Sequence, residues 1–285
     1  MLLPRKMFLL LLCPLLFVLG CGNNKPSPVT NERDSMSLPS PTGKMQDSSH
    51  AKYNHLISNI PIPFDILRRL STSYVLYKAE LLHPVTALAA VNQTDSKSLC
   101  LGVYGADLTY IISLGEFKEF PGHIKIIKRL ADDLGVPTAF DDNMMTRYNI
   151  NETNKDTLQN VMYHSYTEID KTLKSNDRLG MAALVVCGGW IESLYLTTQT
   201  IGINEDNGSY TELYTLVSDQ KKHLENLISL LNDFKTAPFS DILIALQKID
   251  HLYKTAADKN HLNWTEVQKI SAEVKELRTK ITQRS

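Results

Sequence analysis

The chain has 285 residues, 43% of them hydrophobic, with 30 basic against 31 acidic side chains and a net charge of −1. This is an ordinary globular composition, large enough for one sizeable domain or two small ones. The balance leaves no basic excess for a nucleic-acid footprint, and four cysteines are too few for a disulfide scaffold.

Arg5 and Lys6 form a basic start, Met7 to Leu19 an apolar core, and Gly20-Cys21 a junction with a small residue before a cysteine. The apolar run is shorter than the ~20 residues a spanning helix needs. The segment resembles a bacterial lipoprotein signal peptide covering residues 1–20, with Cys21 acylated by chains such as palmitate. Residues 21–58 are rich in Pro, Ser and Asn and poor in apolar side chains, which predicts a flexible tether. Such a chain reaches on the order of 35 Å from its anchor.

From about residue 60 to residue 285 the pattern is helical throughout, with no sustained alternation to mark a sheet. Phe64 to His83 carries apolar residues near helical period up to Pro84. A short piece, Val85 to Val91, leads to Ser98 to Gly115, an apolar stretch whose only charge is Asp107. Pro121 to Leu134 is amphipathic and ends at Gly135; Asp141 to Tyr148 reads as a short helix and Thr153 to Leu173 as a long one. Leu179 to Asn204 is the second apolar stretch, with Glu192 its only charge. Amphipathic helices follow over Tyr210 to Phe234 and from Pro238 through Tyr253. The last helix opens on Asn263 with Glu266 three residues on, a capping-box pattern. Its apolar residues Val267, Ile270, Val274, Leu277 and Ile281 form a narrow seam, to be packed across a neighbour or against a second copy. The expected fold is all-α: one multi-helix bundle with the two apolar helices at its centre.

The two apolar helices resemble each other. Asp107 is followed by Tyr110 and Glu192 by Tyr195, each at i+3, with aromatic Tyr104 or Trp190 just before. Either a duplicated helical hairpin or coincidence over so few positions accounts for this. The stretch KSLCLGVYGADLTYI, with HPVTALAAV before it and KRLADDLGV and ESLYL after it, resembles a GVYGADL motif of all-helical lipoproteins of Bacteroidota. This chain departs from that pattern at Cys100, where Asn is usual. The resemblance implies an envelope lipoprotein and supplies no activity. The residues after Cys21 lack the acidic run associated with export to the outer face, so the expected place is the outer membrane, facing the periplasm.

Asp107 and Glu192 are the candidate site, with Tyr104, Tyr110, Trp190 and Tyr195 around them, as a pocket or as a structural polar core. A carboxylate among apolar helical neighbours must be paired, hydrogen-bonded or neutralised. If Asp107 is structural, Asp107→Asn is expected to weaken the fold. Gly188-Gly189 beside Glu192 predicts close helix–helix approach. The eight histidines form no HExxH, no serine lies in a GxSxG elbow, and the Glu-x-x-His pairs of a di-iron bundle are missing. Cys100 and Cys187 read as core hydrophobes or, in an exported chain, as a disulfide. No metal or cofactor is expected. The function expected is a lipid-anchored module binding an envelope protein or small ligand; the alternative is a hydrolase or lyase using Asp107 and Glu192 as an acid/base pair.

Overall fold

The computed structural model describes residues 51–56, 63–70, 72–73, 75–136, 154–175, 178–201, 211–235, 237–257 and 261–283. Residues 1–50, with Cys21, and the expected helix at Asp141 to Tyr148 lie outside them. The α-helices are α1 (Pro63–Leu70), α2 (Thr94–Leu114), α3 (Phe120–Asp133), α4 (Lys155–Ser175), α5 (Leu179–Ile201), α6 (Thr211–Leu231), α7 (Phe239–Thr255) and α8 (Trp264–Thr282). Among the described residues there is no strand, and the fold is all-α.

The two apolar stretches are the paired central helices. In α2 every residue from Ser96 to Ser113 except Lys97 is buried, and in α5 so is every residue from Ala182 to Ile201 except Val186 and Gln199. Among the described helices they make the most extensive contact, while α1, α3 and α4 pack on α2, and α6 and α8 pack on α5. By length and composition Leu179–Ile201 is apolar enough to cross a membrane, but 78% of its most apolar window is buried inside the protein, the position of a core helix.

Glycine sets how closely the pair approaches. A Cβ on Gly102 would stand 2.1 Å from the Val185 carbonyl oxygen, and one on Gly188 would stand 2.2 Å from that of Leu99. The backbones therefore touch where the helices cross, the approach expected from Gly188-Gly189. Cys100 and Cys187 are buried and free.

The amphipathic helices bury the faces their periodicity marks, including Ile124, Ile127 and Leu130 of α3. The α8 seam is buried at all five apolar positions, against α5, α7, α2 and α6 of the same chain. Its capping box is formed: Asn263 Oδ1 accepts from the Glu266 N–H at 3.0 Å, and Glu266 Oε2 accepts from the Asn263 N–H at 2.9 Å.

Two boundaries differ from the sequence reading. Residues 51–56, placed by composition in the tether, are helical and packed, with Tyr53 and Leu56 three positions apart on a buried face. Phe64 to His83 is not one helix: α1 stops at Leu70, Val75 to Lys78 has no regular secondary structure, and Ala79–Leu81 and Val85–Ala90 are 3₁₀ turns. The Thr72 and Ser73 hydroxyls both donate to the Arg69 carbonyl, at 2.7 and 3.2 Å. Such local bonding competes with continuation of a helix. Residues 75–91 instead run as a strap leading into α2.

Candidate functional site

Asp107 lies in the middle of α2 and Glu192 in the middle of α5, and both are 0% exposed. The two carboxyls face each other across the central contact closely enough for each to act on the other's charge. Asp107 Oδ2 also accepts the backbone N–H of His83, on the strap, at 2.9 Å. Glu192 accepts a two-pronged contact from Arg278 of α8: Nε to Oε2 at 2.9 Å and Nη2 to Oε1 at 3.1 Å. The guanidinium also donates to the Leu81 carbonyl at 3.4 Å and lies 4.7 Å from the centre of the Tyr195 ring. Such a fork matches a carboxylate in shape as well as charge.

The charges then decide the protonation. Two ionised carboxylates beside one guanidinium would leave an uncompensated negative charge in a sealed interior, which is costly. Burial first, and then the neighbouring Glu192, push the Asp107 carboxyl well above its usual range. Burial raises Glu192 too, but Arg278 opposes that rise and stabilises its anion. Asp107 is therefore the acid and Glu192 the carboxylate, sharing one proton. Oδ1 of Asp107 accepts no hydrogen bond, whereas Oδ2 accepts one from the His83 N–H, so Oδ1 is the oxygen left to carry the proton.

Two histidines complete the centre. His123 of α3 has Nδ1 2.9 Å from the Glu119 carbonyl, which can only accept, so Nδ1 carries the hydrogen and Nε2 is a bare lone pair. That Nε2 lies 3.7 Å from Asp107 Oδ2. Burial lowers the His123 pKa, so the contact is between neutral groups and is no ion pair. His83 is 5% exposed with neither ring nitrogen bonded, and burial, followed by Arg278 and His123, lowers its pKa to about 4. The Tyr104 ring packs on both imidazoles, with centroids 5.2 Å from His83 and 6.0 Å from His123.

The tyrosines tie the strap down. The Tyr104 hydroxyl donates to the Pro84 carbonyl at 2.8 Å, and the Tyr110 hydroxyl accepts from the Lys78 N–H at 3.1 Å. Tyr195 lies under Arg278. Trp190 does not join them: two positions from Glu192, it sits ~200° round the helix. It is buried with its indole N–H unbonded and makes no hydrogen bond or ring contact with the pair.

Sequence reasoning thus found both carboxyls and three of their aromatic neighbours, and missed Arg278, His83 and His123. Arg278 was findable, because it sits on the α8 seam, four positions after Val274 and three before Ile281. His123 likewise lies four before Ile127 on the inward face of α3. His83 carries no periodic mark.

Family models, characterised proteins and solved structures give no match to this chain. The chemistry must be read from the residues themselves. Among the described residues no group of three or more His, Cys, Asp or Glu is arranged to hold a metal ion. A groove of about 450 Å³ lies elsewhere, between α7 and α8, lined by Ile242, Ile244, Leu277 and Ile281 with Asp241 and Lys280; neither candidate carboxyl lines it.

Proposed function

We propose that this chain is a lipid-anchored module of the bacterial cell envelope, held by an acylated Cys21, that binds a partner protein or small ligand and does not turn over a substrate. The anchor rests on the Gly20-Cys21 junction and on the resemblance to Bacteroidota lipoproteins. The binding reading rests on one observation: both carboxyls are 0% exposed, with the Glu192 charge matched by Arg278. General acid–base work needs a group within hydrogen-bond reach of a substrate proton. This pair spends its proton on itself.

The alternative, a hydrolase or lyase, draws on the meeting of Asp107 and Glu192. Affinity purification of the full chain from detergent-solubilised envelope, wild type against Asp107→Asn, separates the two. The binding reading expects the same companion with both proteins. A small molecule retained only by Asp107→Asn, and converted by wild type, would favour the enzyme. For the anchor, Cys21→Ala is expected to abolish labelling by a palmitate analogue and to release the chain from the membrane fraction; unchanged labelling would contradict it.

A further inference from the structure

The strap over the carboxyl pair has a construction of its own. Four bonds tie its backbone to the body: Lys78 N–H to the Tyr110 hydroxyl, His83 N–H to Asp107, the Tyr104 hydroxyl to the Pro84 carbonyl, and Arg278 to the Leu81 carbonyl. None is part of a helix or sheet ladder. Each depends on a side chain of the buried centre, and two of the four use the charge network itself. Within itself the strap has only the short i→i+3 bonds of its two 3₁₀ turns, and Leu81, Leu82, Leu88 and Val91 seat it on the core, so these four bonds hold its backbone over the pair.

We propose that residues 75–91 are a pH-gated strap, closed while Asp107 and Glu192 share one proton and the two histidines are neutral, and opened by loss of that proton or by protonation of the histidines. Closure seals the pair; opening admits water to it. Charge created in a sealed site is relieved by solvent, so any change that adds net charge there favours the open strap.

The groups facing Asp107 fix the direction of each limb. Cys100, Tyr104 and Tyr110 of α2, Tyr166 of α4, Tyr195 of α5 and Tyr77 of the strap are all pushed upward, mainly by burial, and stay neutral across the working range. Arg278 stays cationic, since Glu192 outweighs the effect of its own burial. Three carboxylates act on this centre from its edge: Glu119 on His123 and Tyr77, Glu116 on Tyr77, and Glu80 of the strap on Tyr110. The groups whose own titration the closed strap shifts within the working range are the carboxyl pair, His83 and His123. The closed state raises Asp107 above its ordinary value near 3.8, so rising pH favours opening. It lowers both histidines below 6.5, so falling pH favours opening as well. The carboxyl and histidine slopes oppose each other between about 4 and 6.5, and the carboxyl acts alone above that. The strap should be tightest near pH 6.5. This gating needs no bound partner, because only the groups of this centre take part in it.

Hydrogen–deuterium exchange of the full chain tests it, with protection factors for peptides over 75–83 corrected for intrinsic exchange at each pH. Wild-type protection is expected to peak near pH 6.5 and to fall by up to tenfold per pH unit above it, until the pair has titrated. Asp107→Asn keeps an acceptor for His83 and a donor for Glu192 but cannot ionise, so its alkaline limb should be flat. His83→Gln should shrink the acid limb. Tyr104→Phe, which removes one strap bond and no charge, should lower protection at every pH without changing the slopes. Wild-type protection constant from pH 6.5 to 9 would overturn the proposal on its own, even if Asp107→Asn failed to fold. So would an alkaline fall of equal size in wild type and Asp107→Asn, or a changed slope in Tyr104→Phe.

Discussion

Asp107 and Glu192 come from helices separated by α3 and α4 in the chain, and their carboxyls act on each other's charge where neither touches solvent. One arginine matches one of the two charges. The remaining proton is therefore a structural component, and it makes the stability of the fold depend on pH in a defined direction.

Asp107→Asn is expected to stabilise the protein above about pH 7 and to be neutral or mildly destabilising near pH 4, reversing the simple expectation for a structural carboxylate. The folded pKa is raised, so the favourable contribution of Asp107 is fully present below its unfolded value near 3.8. It is lost at about 1.4 kcal/mol per pH unit as pH rises towards the folded value. Asp107→Leu supplies neither an acceptor for the His83 N–H nor a donor for Glu192, and should cost about 1–3 kcal/mol for each group left unsatisfied. Denaturant unfolding at pH 4.5, 7 and 9 distinguishes the two variants; an Asn variant that weakens the fold equally at all three would argue against the shared proton.

His83 governs the opposite limb. Its folded pKa is lowered to about 4 from 6.5. Its contribution is present above 6.5 and is lost as pH falls through the interval down to about 4, a total of about 3 kcal/mol. His83→Gln should remove that part of the acid sensitivity while keeping the backbone N–H bond to Asp107. Acid titrations of unfolding free energy for the two proteins should diverge below pH 6.5.

Removing Arg278 strands the Glu192 charge. Arg278→Met is expected to destabilise by about 3–5 kcal/mol. Arg278→Lys, which keeps the charge without the two-pronged fork, should cost less. The pair Arg278→Met with Glu192→Met should recover most of the loss, because no buried charge is then uncompensated. A double-mutant cycle in which the two losses simply add would show that the ion pair is not coupled.

The helix crossing is tested by glycine. Gly188→Ala and Gly102→Ala place a Cβ 2.2 and 2.1 Å from carbonyl oxygens of the facing helix, so α2 and α5 must separate, at a cost of about 1–3 kcal/mol or more. At Gly180 a new Cβ would meet its nearest neighbour, Phe239, at 3.4 Å, and Ala there should be close to neutral. Thermal melts of the three variants should separate Gly180→Ala from the other two.

Both carboxyls were legible in the sequence because each is the lone charge in an apolar stretch, where burial is forced and a partner is required. The central pairing of α2 and α5 was legible for the same reason, and their contact through Gly188-Gly189. Arg278 was overlooked because an arginine in a narrow amphipathic seam is usually assigned to the solvent side; only its register places it inward. The strap was misread because Leu76, which extended the helical pattern, is 82% exposed and contributes nothing to the core. There the chain follows bonds to Tyr110, Asp107 and Tyr104, and such tertiary bonds leave no periodicity.

Isotope-edited infrared spectroscopy, with 13C-labelled aspartate, most directly tests the shared proton. At pH 7 the wild-type protein should show the carbonyl band of one protonated aspartic acid carboxyl, absent from Asp107→Asn and retained in Arg278→Lys. A wild-type spectrum at pH 7 with every aspartate ionised would contradict the shared proton and, with it, the pH gating of the strap.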